Sequence, residues 1–473
     1  MNNLPDISKD FALWYQEVIF QAELVDSSPV RGTMIIRPYG YALWEQIVDV
    51  LDDKIKKTGH KNASFPLFIP ESFLKKEAKH VEGFAPELAI VTHAGGKKLE
   101  EPLVVRPTSE TIIHYMFARW IKSWRDLPLK INQWANVVRW ELRPRAFLRT
   151  TEFFWQEGHT AHETLEQAQE EVFMMLNEYK DLAENYLAIP VITGQKTETE
   201  RFPGAIETHT FEAFMQDGKA LQMGTSHLLS QSFAHAFEMQ FQNRDGVLAY
   251  PFLTSWGTTT RLVGALVMVH GDQKGLVMPP KVAPIQVVIL LILLKNKDNT
   301  AVIEAGYALA ADLKKQGFRV ELDQDMHKSA GARFFYWEIR GVPIRIEIGP
   351  RDLEKQEVKV VDRIGLCAES VNVSSVTQKV AQLLELIQKT LFERAQERNE
   401  HMWHKEEKLV NFGPILEKNN GIYQTGWCGS ADCEQKLKEF KAFTRCLLEE
   451  KTFDVCFNCD KPSDRDVVVA KSY

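Results

Sequence analysis

Apolar residues recur along this chain with two periods, and the expected elements follow from which period is in force. Helical spacing marks residues 11–24 and 40–58. In the second stretch Ala42, Leu43, Ile47, Val50, Leu51 and Ile55 form one stripe, and Gly59 is placed to end it. A short strand over 33–38 precedes that helix, and a proline-containing strand over 63–70 follows it. A third stripe, Ile112, Ile113, Met116, Phe117, Trp120 and Ile121, predicts a helix that Thr108 or Ser109 can cap. Strands are predicted over 135–141 and 151–157, joined by a loop that holds Pro144. Residues 163–187 read as one helix, 189–193 as a strand and 196–205 as a connector. Residues 207–214 alternate as a sheet strand does. Residues 220–227 lead into a predicted helix over 228–241, and 254–261 precede an apolar helix over 262–270.

The pattern changes after residues 274–284, which hold three prolines and read as a linker. Beyond them strands (285–294, 318–322, 343–349, 358–361) alternate with helices (300–316, 332–340), which predicts a parallel or mixed α/β sheet. The apolar run 287–294 is too short to cross a bilayer and suits a buried parallel strand. Residues 374–408 read as a charge-dense connecting helix. The expected organisation is an α/β and α+β multidomain fold, with domains over 1–280, 281–375 and 376–473.

A chain of 473 residues, 44% hydrophobic and 26% charged, fits about three soluble globular domains. The net charge of −7 means that any nucleic-acid partner has to meet local basic patches rather than a basic molecule. The first twenty residues carry early acids and no basic leader before a long apolar core, so no secretory signal is read and a cytoplasmic place is expected. Five of the six cysteines follow residue 427, which is not the spread of a disulfide framework. Cys428-x4-Cys433 and Cys456-x2-Cys459 have the spacing of a tetrathiolate site for structural Zn²⁺, with Cys446 a bystander between them.

Chemistry concentrates in residues 138–162, where four arginines, three glutamates and two histidines sit between apolar residues. Alternation on a strand puts Arg139 and Glu141 on one face, and likewise Trp155 and Glu157. A cation and carboxylates on a sheet face can hold an anionic nucleotide beside a cationic amine, although Arg-x-Glu alone reads as a surface ion pair.

The whole stretch says more. RWE at 139–141, a short loop and FLRTTEFFWQEGHTAH resemble motif 2 of the class II aminoacyl-tRNA synthetases, and WQEGHTAH is similar to the prolyl members in particular. The helix and strand around Pro66 resemble motif 1, and TSWGTTTR at 254–261 resembles motif 3. The resemblance implies the antiparallel catalytic sheet of that class, a homodimer built on motif 1, and catalysis by Arg139, Glu141 and Arg261. It places Arg139 on the α-phosphate of ATP and on the amino-acid carboxylate. It places Arg149, Thr150, Gln222 and Thr225 on ATP, Thr259 on the ribose side and Arg261 on the γ-phosphate. Thr108 and Glu110 would hold the substrate nitrogen, since the secondary ammonium of proline wants an acceptor and a negative charge. Trp155, Glu157, His159, Phe202 and His227 would line the proline pocket.

GARFFYWEIRGVPIRIEIGPRD, 331–352, resembles the α/β anticodon-binding domain of this class, with Glu338 and Arg345 as candidate readers of anticodon bases. The cysteine-rich extension resembles the archaeal and eukaryotic-like prolyl form, a small zinc-binding α+β domain. The implied activity is ATP-dependent joining of L-proline to tRNA(Pro) through prolyl-adenylate, with Mg²⁺ beside the nucleotide. Residues 163–205 leave no room for the editing domain that many bacterial prolyl enzymes carry there. A threonine enzyme would hold a catalytic zinc through a core cysteine, and none precedes Cys367. The sequence shows no Walker loop, which sets aside P-loop chemistry. The reading from another class is a synthetase-like tRNA-binding or regulatory protein without aminoacylation, and the intact Arg139, Glu141 and Arg261 weigh against it.

Overall fold

In the computed structural model, which describes residues 4–75, 88–141, 143–295, 297–325 and 327–473, the alternating segments pair into one large sheet. Leu142, in the loop expected after residue 141, lies outside the described residues. The centre of the sheet runs in the order Leu129–Val138, Glu152–His162, Phe252–Thr259, Ala220–Ser230, Glu207–Phe214 and Val191–Gln195, every pair antiparallel. Gln133 pairs with Glu157 on one side of the middle strand, and Ser255 pairs with His159 on the other.

Strand alternation divides the chemistry from the core. Trp155, Glu157 and His159 face one way, and Gln156, Gly158 and Thr160 face the other. Helices Phe11–Gln21, Pro38–Lys57, Leu165–Asp181 and Arg261–His270 contribute to the core on the second face. Trp14, Leu43, Ile47, Met175, Tyr179, Trp256 and Leu266 are buried there. Each such side chain is worth about 1.5–3 kcal/mol of burial. Gly158 lets the sheet close on this core, because a Cβ there would come within 2.0 Å of the Trp256 ring.

A second sheet follows the order Val320–Asp323, Val287–Leu291, Ile344–Ile348, Glu357–Asp362 and Ala368–Asn372. Its first three strands are parallel and the last two are added antiparallel, so the expected mixed sheet is present. Val287–Leu291 is buried along its whole length between parallel neighbours.

Several expected elements take another form. The strand expected over 135–141 ends at Val138: the Arg139 N–H still donates to the carbonyl of Thr151 opposite it at 2.8 Å, and the chain then leaves the ladder for the loop that holds Pro144. Only Phe68–Pro70 of the strand expected over 63–70 pairs within a sheet. The helix expected over 228–241 shrinks to Ser232–Ala236, and Leu228–Ser230 complete the strand before it. Their apolar run looks helical because that strand is buried on both faces, which removes the alternation. The helix expected over 163–187 is Leu165–Asp181 followed by a wide turn, Leu182–Tyr186. The proline-rich linker is not a loose tether: Leu276, Val277, Met278, Val282 and Ala283 are buried, and the Leu276 N–H donates to Ile339 O at 2.9 Å. The charge-dense helix, Val376–Met402, is no mere connector, since Val380, Leu383, Leu384, Ile387 and Leu391 pack into the second core.

The C-terminal segment does not stand apart either. Its strands Phe443–Leu447, Arg465–Ala470, Ile422–Trp427 and Trp403–Lys405 extend the first sheet to eleven strands among the described residues, joined where Leu447 pairs with Gln195. Behind that join lies a buried triad. Lys196 Nζ donates to Glu212 Oε1 at 2.9 Å, and Arg445 Nη2 donates to Glu212 Oε2 at 2.7 Å. Burial pushes the Glu212 carboxyl up, and its two cationic partners bring it below the usual carboxylate range. Arg445→Ala is expected to cost about 3–5 kcal/mol, because it leaves a buried charge half-compensated. Denaturant unfolding of the variant checks this, and a loss under about 1 kcal/mol would show the triad to be dispensable.

Candidate active site

The face opposite the helical core opens into a cavity of about 480 Å³. Fifteen residues singled out in the sequence line it: Thr108, Glu110, Arg139, Glu141, Arg149, Thr150, Trp155, Glu157, His159, Phe202, Gln222, Thr225, His227, Thr259 and Arg261. They arrive from three central strands, the starts of two helices and three loops.

Carboxylates gather on one wall. Helix Glu110–Trp120 begins with Glu110 buried in its first turn. Ser109 stands at the cap position, yet neither it nor Thr108 caps the helix by side chain. The Thr108 hydroxyl donates to the Glu110 carboxylate instead. Glu157, 2% exposed, accepts from the Ser109 N–H at 3.2 Å and from Gln133 Nε2 at 2.8 Å, and His159 Nε2 lies 3.1 Å from its other contact oxygen. Burial pushes the Glu157 carboxyl up, but His159, Ser109 and Gln133 outweigh it and the net shift is downward. Burial pulls His159 down, but the Glu157 hydrogen bond and the Glu110 charge raise it above the ordinary imidazole value. His227 closes the wall, held by Thr208 Oγ1 at 3.0 Å and Thr225 Oγ1 at 2.9 Å, with its ring stacked 4.5 Å from Phe202.

Arginines gather on the other wall. Arg139 lies over the rings of Trp155 and Phe153, at 5.4 and 5.6 Å, and its Nε donates to Pro107 O at 3.0 Å. Arg139 and Glu141 both face the cavity, but from the loop beyond the strand rather than by strand alternation. Glu141 pairs with Arg149. Arg261 Nη1 donates to Gln222 O at 3.0 Å and its Nε to Leu148 O at 3.2 Å. Burial and the like charge of Arg139 push its guanidinium down to about 10, still charged at neutral pH. Thr150 donates to Glu152 O at 2.8 Å, and the Thr259 hydroxyl accepts from the Arg261 N–H at 3.0 Å.

The remaining candidates lie elsewhere. Glu338 and Arg345 line a separate cavity of about 380 Å³ in the second domain, with Trp337 and Lys274. Glu338 pairs with Lys274 at 3.2 Å, and Arg345 Nε donates to Glu347 Oε1 at 3.0 Å. Cys428, Cys433, Cys456 and Cys459 converge with all four sulfur atoms within 4.8 Å of one another and none in a disulfide. Cys446 lies away from that cluster in the sheet.

Comparison with known proteins decides the family. The model of the class II tRNA synthetase core domain (G, H, P, S and T) matches residues 93–270. The anticodon-binding domain model matches 286–389, and the prolyl-tRNA synthetase C-terminal model matches 409–473. Proline–tRNA ligase 2 of Clostridioides difficile (strain 630) is 50% identical over 100% of this chain and 98% of its own length. Proline–tRNA ligase of Pelodictyon phaeoclathratiforme is 51% identical over 98% of each. The chain belongs to the prolyl-tRNA synthetase family. The crystal structure of prolyl-tRNA synthetase from Cryptosporidium parvum complexed with halofuginone and AMPPNP superposes with a TM-score of 0.95 at 40% identity, covering 99% of both chains. That protein complexed with L-proline and AMP superposes at 0.93 and 39% identity, again over 99% of both.

The fold is thus that of a class II synthetase, with its antiparallel sheet, α/β anticodon-binding domain and cysteine cluster. Sequence reasoning missed some of the synthetase's cavity walls. Phe153, Glu200, Arg201 and Tyr473 line it too. Phe153 was legible from alternation with Trp155. Tyr473 was not, because it reaches the cavity from the far end of the chain, its hydroxyl donating to Asp217 Oδ2 at 2.7 Å.

The Glu157–His159 pair sets a pH dependence. His159 is raised, so its contribution to stability is whole below the unfolded value of about 6.5 and is lost as pH rises through the folded one. Glu157 is lowered, so its contribution is whole above about 4.3 and is lost as pH falls through the folded value. The melting-temperature gap between the wild type and His159→Gln should be widest between those limits and narrow on the alkaline side. A gap unchanged from about pH 5 to 9 would mean that His159 does not titrate in that range.

Proposed function

We propose that this chain joins L-proline to tRNA(Pro) in two steps within the 480 Å³ cavity. One observation carries the reading: two buried carboxylates, Glu110 and Glu157, stand on one wall of a cavity whose other wall holds Arg139, Arg149 and Arg261. The carboxylate wall takes the secondary ammonium, with Thr108 and Glu110 as acceptors, His159 bracing Glu157, and Trp155, Phe202 and His227 enclosing the ring. The arginine wall takes ATP, with Thr150, Gln222, Thr225 and Thr259 around the nucleotide. Mg²⁺ arrives with ATP as part of the substrate.

In the first step the proline carboxylate attacks the α-phosphate and pyrophosphate leaves. Two anions meet there, and Arg139 neutralises the developing charge while Arg261 draws on the departing phosphates. Glu141 aims Arg149. In the second step the terminal ribose hydroxyl of the tRNA attacks the prolyl carbonyl and AMP leaves. No side chain acts as a nucleophile, so positioning and charge stabilisation carry the rate. Glu338 and Arg345 read anticodon bases from the second cavity, a carboxylate accepting from base N–H groups and a guanidinium reaching ring acceptors.

The four-thiol cluster suits Zn²⁺ in a closed, structural role, since four soft donors lie within one coordination sphere and no open position is needed. A homodimer built on helix Pro38–Lys57 and the segment after it fits the exposure of Leu67 and Phe68 beside Pro66. Among the described residues no helix is long and apolar enough to cross a membrane. The cytoplasm is the proposed location.

Pyrophosphate exchange across the twenty amino acids tests the activity. Proline alone should drive rapid exchange, and Arg139→Ala should reduce it by about 10²-fold or more. Wild-type rates in that variant would refute the role given to Arg139. Cys456→Ser should lower zinc content and melting temperature more than it changes the apparent affinity for proline. Zinc-free wild type, prepared without chelators and melting at the same temperature after zinc is added, would count against the metal.

A further inference from the structure

A third cavity, of about 300 Å³, lies where the catalytic sheet, the second domain and helix Val376–Met402 meet. None of the roles above uses it. Arg394, Arg398, Arg363 and Lys274 line it, and Asp272 is the carboxylate on its wall. Asp272 is committed already: Arg363 holds it through two hydrogen bonds, Nη1 to Oδ2 at 2.8 Å and Nη2 to Oδ1 at 2.6 Å. Lys274 pairs with Glu338 at 3.2 Å. His270, also on the wall, adds no charge, because burial pushes it down to about 3.

That leaves the two arginines of the helix. Arg394 and Arg398 are four residues apart, so they share one face and repel each other. Arg394 is largely exposed, and its one hydrogen bond, to Ile364 O, is long at 3.5 Å. Arg398 is the sharper case. Its Nε and Nη2 are buried with no hydrogen-bond partner. A buried N–H without an acceptor is destabilising, and more so on a charged group. Nε and Nη2 form one side of the guanidinium fork, the pair of donors that grips two oxygens of a phosphate.

The position of the cavity narrows the source of the phosphate. It shares Lys274, Arg363 and Gly365 with the cavity that holds Glu338 and Arg345. Arg363 ties the two together, donating from Nε to Glu338 O at 3.0 Å while it holds Asp272. An RNA strand whose bases enter the cavity of Glu338 and Arg345 carries its backbone past the third cavity, which shares that wall. We infer that the cavity lined by Arg394 and Arg398 is a phosphate-binding site, filled by a backbone phosphate of the RNA beside the anticodon; this rests on the tRNA reading above.

Equilibrium binding of tRNA(Pro) to the full chain over a range of potassium chloride tests it. Each phosphate contact contributes about 0.7–0.9 to the slope of log affinity against log salt. Arg394→Gln and Arg398→Gln should each weaken binding by about three- to tenfold and flatten the slope by about that amount. Arg398→Lys should keep the slope and lose only part of the affinity, since it keeps the charge without the fork. Proline-dependent pyrophosphate exchange needs no tRNA and should be unchanged in all three. Arg394 is exposed, so its variant reports on binding without disturbing the core. Slopes equal to wild type in both glutamine variants would overturn the site, and the donors of Arg398 would then be met by water. Stabilisation of the wild type by inorganic phosphate, with slopes unchanged, would assign the cavity to a free anion and equally overturn the RNA assignment. A wild type that binds no tRNA would overturn the functional reading along with this one, whereas one that charges tRNA while its variants keep the slope overturns this site alone.

Discussion

The cavity is organised around one buried carboxylate. Glu157 sits mid-strand at 2% exposure, where an unpaired charge would cost several kcal/mol. Its satisfaction draws on three elements: the Ser109 N–H at a helix start, Gln133 on the neighbouring strand and His159 on its own. Meeting one charge therefore fixes the angle of helix Glu110–Trp120 against the sheet. The helix start also carries partial positive charge, which favours both Glu157 and Glu110 beside it. Ser109 leaves its capping position unused and turns its hydroxyl to Gln133 at 3.1 Å. With two buried carboxylates on one wall, a cationic nitrogen is the ligand such a wall favours.

The C-terminal segment supports the same cavity from behind. Glu434 accepts from the Thr197 hydroxyl at 2.7 Å and also bonds Thr444. Thr197 begins the connector whose Glu200, Arg201, Phe202 and Pro203 line the cavity. Lys196, one residue earlier, is pinned through Glu212 to Arg445. Glu434 also directly follows Cys433 of the thiol cluster. An ion that fixed Cys433 would steady Glu434 and, through it, the loop carrying Phe202. The extension is thus a buttress of the catalytic sheet, continuous with it by hydrogen bonding.

What was legible in the sequence was local. Alternation placed Trp155 and Glu157 on one face, and a motif-level likeness gathered residues that lie more than a hundred positions apart. Where local signals conflict with tertiary context, the reading failed. Leu228–Ser230 looked helical because a strand buried on both faces loses its period. The proline-rich stretch at 274–284 read as a linker because nothing local reveals that Leu276 and Met278 pack into the first core and Val277 into the second. Arg139 and Glu141 reach the cavity as expected, but from the loop that follows Val138 rather than from the strand itself. Tyr473, Gln133 and Glu434 act through contacts made only on folding, and no spacing announces them.

Charge placement resolves the contrast between an acidic chain and its anionic substrates. A net charge of −7 repels nucleic acid at long range, but screening confines that effect to about 10 Å at ordinary salt. Within that distance the local arginines dominate. Arg261 stands half-buried beside Arg139, and desolvation and mutual repulsion push it down to about 10. Each guanidinium therefore destabilises the other while the cavity is empty. An anion between them turns the same charges into attraction, so binding energy is gained where negative charge accumulates. Ligands that supply that charge should also stabilise the fold, by mass action on the native state alone. Like charges held together favour a polyphosphate over a neutral ligand of the same size, because only the anion relieves their repulsion.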